Sequence, residues 1–211
     1  MDIEPLVMDL KSIKLLPGHE NPAIAEVSTK DGFFPNPRRS DDFRIRASVY
    51  EMLKKAQASL PAGYRFMVFE TYRAFSKQEK LWANTNRQMK ERYPDLPEDK
   101  LFQLCENFTA NPYDGIGSGH MAGCAIDLTL CDESGKEFGM GTAMHEKNEK
   151  TKTECDGLTP EETRLRGILK KAMEDVGFIN YPAEWWHYSY GDHQWAWLTG
   201  RKECIYGIID I

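Results

Sequence analysis

The stretch "SGHMAGCAIDLTL", Ser118 to Leu130, sets a histidine and an aspartate around a turn of small residues at the mouth of an apolar run. Such a run belongs in a core, where an unpaired carboxylate is costly. Asp127, between Ile126 and Leu128, therefore either points outward from an alternating strand or is held by something positive. A metal ion is one such partner, and His120 is a natural second ligand. On this reading "CAIDLTL" is a strand, and the loop "TANPYDGIGSG" delivers the chain to His120.

Upstream of that loop, "PEDKLFQLCENF" (97–108) and "FSKQEKLWANTNRQMKE" (75–91) read as helices, and "YRFMVFETY" (64–72) as a buried strand. Phe43, Ile45, Val49, Met52 and Leu53 recur at roughly helical spacing, so a helix is expected from a cap at Ser40 or Asp41, ending at "PAG" (61–63). Residues 1–40, rich in Pro, Gly and Asn, read as an irregular N-terminal wrap with one short strand. Downstream, "CDESGKEFGMG" suggests a hairpin-like turn and 145–157 an exposed polar loop. Thr159-Pro160-Glu161-Glu162 is a capping box that opens a helix running to Gly177. "EWWHYSYG" (184–191) is the last strand expected, and His193 beyond it is read as a solvent-facing loop residue. No repeat or linker divides the chain, so residues 1–211 are expected to form one α+β domain.

The charge balance narrows the function. Lys plus Arg number 27 against 33 Asp plus Glu, for a net charge of −6, and no dense basic patch occurs, which argues against a nucleic-acid partner. No window approaches the ~20 apolar residues of a membrane span. The N-terminus carries acids where a signal peptide needs a basic start. Five scattered cysteines without a CxxC pair read as reduced thiols, which suits a cytoplasmic location.

The ionisable residues beside apolar or aromatic strands are Arg73, His120, Asp127, Glu184 and His187. Two imidazoles and a carboxylate make a three-ligand zinc set that leaves one position open for water. A further carboxylate is then needed as general base, and Glu184, three residues before His187 in "EWWH", could stand beside such a zinc. Arg73, just past the strand 64–72, is placed to stabilise an oxyanion. Ser118 reads as a support for the turn. Cys124 reads as a buried filler with no base placed to activate it.

In the order Tyr72-Arg73, then Ser118/His120/Gly123/Ala125/Asp127 as SxHxxGxAxD, then Glu184/Trp186/His187 as ExWH, the chain resembles the M15 zinc peptidases. Within them it is similar to the D-alanyl-D-alanine dipeptidases, over residues 40 to 195. The resemblance implies one zinc held by His120, Asp127 and His187, with Glu184 as catalytic base and Arg73 as transition-state stabiliser. It implies a small antiparallel sheet lining a zinc cleft, flanked by helices, as in Hedgehog proteins and lysostaphin-type peptidases. The function it implies is hydrolysis of D-Ala-D-Ala or a closely related dipeptide in a bacterial cytoplasm, in glycopeptide resistance or recycling of wall material.

All but one of the departures from the family pattern, Ala74 for a proline, fall on substrate recognition. Gly119 stands where these dipeptidases usually carry a substrate-holding serine, and His145 with Glu146 stand where an aspartate binds the substrate ammonium. No tyrosine in "AEVSTKDGFF" matches one that lines the family's pocket, and Ala74 replaces a proline. Ser118, Gly119, His145 and Glu146 are accordingly the candidate substrate contacts. Two other readings stand beside the first: a D,D-carboxypeptidase or endopeptidase acting on peptidoglycan stem peptides, and a non-catalytic zinc module.

Overall fold

The apolar run that holds Asp127 becomes a strand, Ala125–Cys131, in which every residue is buried. In this computed structural model, which describes residues 8–38, 40–106, 108–144, 146 and 148–211, it is the middle strand of a five-stranded sheet. In chain order the strands are β1 (Lys14–Leu15), β2 (Ile24–Glu26), β3 (Phe34–Pro35), β4 (Arg44–Arg46), β5 (Arg65–Glu70), β6 (Ala125–Cys131), β7 (Ile179–Asn180), β8 (His187–Ser189) and β9 (Glu203–Cys204). The helices are α1 (Ala47–Ser59), α2 (Phe75–Arg92), α3 (Glu98–Glu106), α4 (Pro160–Glu174) and α5 (His193–Leu198).

The sheet runs β3-β5-β6-β8-β7. It is antiparallel except at one edge, where the two residues of β3 pair parallel with β5. Alternation along β6 sends Ile126, Leu128 and Leu130 into the main core, against Val49, Leu53 and Ala56 of α1 and Leu165, Leu169 and Met173 of α4. Asp127, out of step with these, takes the opposite side. The antiparallel sheet lined by helices that the resemblance implied is thus present, with a parallel strand added at its rim.

Several elements differ from their sequence expectation. The helix expected from residue 41 begins only at Ala47, because Arg44–Arg46 pair antiparallel with β2. Phe43 and Ile45 are buried as in a helix, but from extended chain. Pairing with another segment, which local spacing cannot register, decided it. The strand expected over 184–191 shortens to His187–Ser189, with residues 182 to 186 forming turns. The loop 145–157 is not wholly exposed: Thr151 and Thr153 are buried, and Arg166 of α4 donates to the carbonyls of Met140, Lys150 and Lys152. The capping box on α4 forms in both directions.

Candidate metal centre

Strand register brings the first two site residues together. Asp127 of β6 pairs directly with His187 of β8, so their side chains stand side by side on one face. His187 Nδ1 lies 2.9 Å from Asp127 Oδ1. The third residue, His120, arrives from the loop before β6, where a turn closed by the Gly123 N–H on the His120 carbonyl reverses the chain. Gly123 has φ +66°, a conformation that costs a residue with a Cβ, and an added Cβ would also press on Ile209. His120 Nδ1 donates to the Thr71 carbonyl at 2.7 Å, which leaves the Nε2 lone pair facing the pair. From Nε2 it is 3.2 Å to His187 Nδ1 and 3.3 Å to Asp127 Oδ1.

These separations can be compared with what a tetrahedral zinc requires. Ligand bonds of ~2.0–2.1 Å at tetrahedral angles put donor atoms about 3.3–3.4 Å apart. Two of the three distances fall within a few tenths of an ångström of that, and the third is shorter. The donor set, two imidazoles and a carboxylate, is also one that zinc takes. The residues fit a three-ligand zinc site with one position left over. All three are buried, and although burial opposes it, the charges and hydrogen bonds of His120 and His187 hold Asp127 well below the usual carboxylate range.

Glu184 lies in the turn before β8 rather than on a strand. Its N–H donates to the Tyr181 carbonyl, and its own carbonyl accepts from the His187 N–H and from Asn180 Nδ2. The neighbouring Trp185 is tied to Thr151 and Thr142, so the turn that aims Glu184 is braced from two sides. Burial pushes the Glu184 carboxyl up to about 7, with Asp127 adding to the shift and His187 and Arg73 opposing it. A carboxylate poised there is matched to proton transfer near neutral pH.

Arg73 follows β5, and its backbone N–H donates to the His120 carbonyl. Its guanidinium makes a bidentate pair with Glu70, Nε to Oε1 at 3.0 Å and Nη2 to Oε2 at 2.7 Å, while Nη1 donates to Gln78 at 2.8 Å. Glu70 is buried at the end of β5, where a bulge between Val68 and Glu70 sets it opposite Asp127. Burial works against its ionisation, yet the charge and hydrogen bonds of Arg73 bring it down to about 2. Glu70 also meets Lys77 at 2.9 Å. The trio therefore carries a net positive charge at the wall of the cleft.

A cleft of about 780 Å³ opens on the site, lined among others by Arg73, Ser118, His120, Asp127, Glu184 and His187. Gly119 lines it too, and its departure from serine has a physical reason. A Cβ there would lie 2.1 Å from Asp192 Oδ2 and 2.8 Å from the Ala125 Cβ. Asp192, the cap of α5, accepts from the Trp195 N–H and the Ser189 hydroxyl through its other oxygen. A buried carboxylate thus fills the space a side chain at 119 would take. Ser118 accepts from the Met121 N–H and holds the turn. Glu146 is not brought to the site: it is exposed, does not line the cleft, and bonds the Ala143 N–H and Asn148 of its own loop. The expectation for His145 lies outside the described residues. His193, read as solvent-facing, is buried on α5 and lines the cleft. Gln78 and Asp192 were not singled out from the sequence, and they owe their importance to contacts that the fold creates. Glu70 holds an arginine only three residues away, so that ion pair is local in the chain.

Comparison with known proteins fits this geometry. Residues 42–202 match the Peptidase_M15 family, described as D-ala-D-ala dipeptidase. The chain belongs to this family. It is 27% identical over 183 residues to a D-alanyl-D-alanine dipeptidase of Synechocystis sp., covering 75% of this chain and 73% of that one. To the D-alanyl-D-alanine dipeptidase of Enterococcus faecium it is 27% identical over 174 residues, covering 78% and 83%. That of Escherichia coli is 28% identical over 141 residues, covering 67% and 63%. Among solved structures, VanYB in complex with D-Alanine-D-Alanine superposes with a TM-score of 0.50 at 18% identity, over 88% of each chain. A vancomycin-resistance D,D-pentapeptidase VanY in complex with Zn(II) does so with a TM-score of 0.50 at 17% identity, over 92% of this chain and 96% of that one. These two bear on the fold.

Proposed function

We propose that this member of the family is a zinc-dependent dipeptidase that cleaves D-Ala-D-Ala or a closely related dipeptide. One observation carries the reading: three buried donor atoms converge at zinc-like spacing within one cleft that also presents a carboxyl poised at about 7 and a half-buried arginine. His120 Nε2, Asp127 and His187 Nδ1 would hold the ion. When bound, zinc supplies Lewis acidity toward a carbonyl and a lowered pKa for water. Glu184 takes the proton of the attacking water and returns it to the departing amine. Arg73 donates to the oxygen that gains charge as the carbonyl carbon becomes tetrahedral.

The relatives named D-alanyl-D-alanine dipeptidase support the substrate class. The five free cysteines, four of them buried, agree with a reducing cytoplasm. Among the described residues no helix is long and apolar enough to cross a membrane. A second reading, a D,D-carboxypeptidase acting on longer peptides, is favoured by the reach of the cleft. It continues along α2 past Leu81 and Asn84 to Gln88 and across to Gln103 of α3, beyond the span of one dipeptide.

The test is release of free alanine by zinc-loaded protein, D-alanine from D-Ala-D-Ala and from N-acetyl-D-Ala-D-Ala and L-alanine from L-Ala-L-Ala, each beside a chelated control. Chelator-sensitive cleavage of the free D,D-dipeptide alone is the expected result. Cleavage of the acetylated substrate alone would transfer the protein to the second reading, and zinc binding without turnover of any of them would overturn both.

A further inference from the structure

Gln78 stands on the first turn of α2, wholly buried behind the cleft wall, where an amide has to be matched at both ends. Its Nε2 donates to the Ala110 carbonyl at 2.7 Å, which fixes the amide's orientation and turns Oε1 toward Arg73. That oxygen accepts from Arg73 Nη1 at 2.8 Å, and the Ser118 hydroxyl faces it at 3.4 Å. One amide thus ties the guanidinium to the loop that leads to His120.

The grip of Glu70 alone does not define where Arg73 points. A guanidinium bound bidentately along one edge stays coplanar with its carboxylate but can swing with it about the Glu70 side-chain torsions. A third bond from a different element removes that freedom. Of the five N–H donors of Arg73, Glu70 and Gln78 engage three, leaving one on each terminal nitrogen for a ligand in the cleft. The partner is also neutral. A second carboxylate in its place would cancel more of the charge that Arg73 presents, whereas the amide orients without neutralising.

We infer that Gln78 is a positioning residue for the proposed reaction, holding the Arg73 guanidinium at the angle from which it meets the tetrahedral transition state. The inference rests on the reading of Arg73 given above. Because it acts through Arg73, its effect belongs on kcat and vanishes when Arg73 is gone.

The experiment is a double-mutant cycle on the zinc-loaded enzyme with D-Ala-D-Ala, using Gln78→Met, Arg73→Ala and the double variant. Zinc content and thermal unfolding are followed alongside. Gln78→Met is expected to lower kcat about 10-fold or more with KM little changed and zinc stoichiometric, since small misplacements of a catalytic group can cost ~100-fold. In the Arg73→Ala background the same change is expected to alter kcat by less than about twofold. Equal losses in both backgrounds would overturn the inference and make Gln78 a structural residue, as would no loss in either. Should Gln78→Met fail to fold, Gln78→Ala takes its place in the cycle, with the same dependence on Arg73 expected and the same outcomes decisive. If Arg73→Ala itself leaves kcat intact, the reading of Arg73 fails first, and that result is distinguishable from the others.

Discussion

At the residue scale the site depends on carboxyl groups whose environments push them apart. Asp127 is held ionised by two imidazoles, while Glu184 is raised to about 7 by burial. The base must be ionised to accept a proton, so its working form is lost as pH falls through its pKa. A nearby dication lowers that pKa further. The acid limb of kcat/KM is therefore expected at or below 7, and Glu184→Gln should retain zinc, lose about 10²–10⁴ in rate and lose that limb. A limb that survives in the variant would belong to another group. Gly119 gives a second test. Gly119→Ser would drive its Cβ against the Asp192 carboxylate, 2.1 Å away, so restoring the family's serine is expected to lower activity and stability together. Asp192→Gly removes the nearer clash but leaves the Ala125 Cβ at 2.8 Å and deletes the cap of α5, so the pair of changes is not expected to restore the parent's stability. Thermal unfolding and turnover of the three variants measure it.

At the element scale, register is the decisive quantity. Asp127 and His187 are cross-strand partners, and a shift of one residue would send Asp127 into the core and Leu128 into the cleft. Apolar burial on the other face of β6, through Ile126, Leu128 and Leu130, locks that register against α1 and α4. Metal binding should therefore be separable from folding. Asp127→Ala is expected to lose stoichiometric zinc, read by elemental analysis, while its far-ultraviolet circular dichroism stays that of the parent. Retention of one zinc per chain would contradict the ligand assignment.

At the scale of the whole molecule, the chain ends are drawn onto the site loop by a buried arginine. Arg46 donates to the carbonyls of Ala122, beside His120, of His19 in the N-terminal wrap and of Gly207 near the C-terminus. Its guanidinium also lies 4.3 Å from the Tyr206 ring centroid. Three segments far apart in sequence thus share one cation. Arg46→Met leaves three buried or half-buried carbonyls without this donor, and a loss of roughly 3 kcal/mol is expected, each orphaned group costing about 1–3 kcal/mol before any rescue by water. Denaturant unfolding measures it. Zinc affinity should fall as well, because the Ala122 carbonyl belongs to the turn that presents His120.

The donor set was legible in the sequence because its members sit in short motifs. SxHxxGxAxD carries two of the proposed ligands and the glycine that lets the turn form, and ExWH joins the proposed base to the third in one turn. The long helices α2 and α4 and the strands β5 and β6 were legible for a related reason, since spacing of apolar residues and caps acts within a few residues of chain. Tertiary structure alone decided what depends on contacts across the sheet and cleft. Arg44–Arg46 became a strand because β2 lay beside it, His193 was buried because α5 docks, and Gly119 answers to an aspartate 73 residues away. Gln78 acquires its role only once its amide is anchored on the Ala110 carbonyl, 32 residues away, whereas the Glu70–Arg73 pair closes within three residues. Bonds that close within a few residues are written in local order, whereas a side chain's partner across a cleft exists only once the chain has folded.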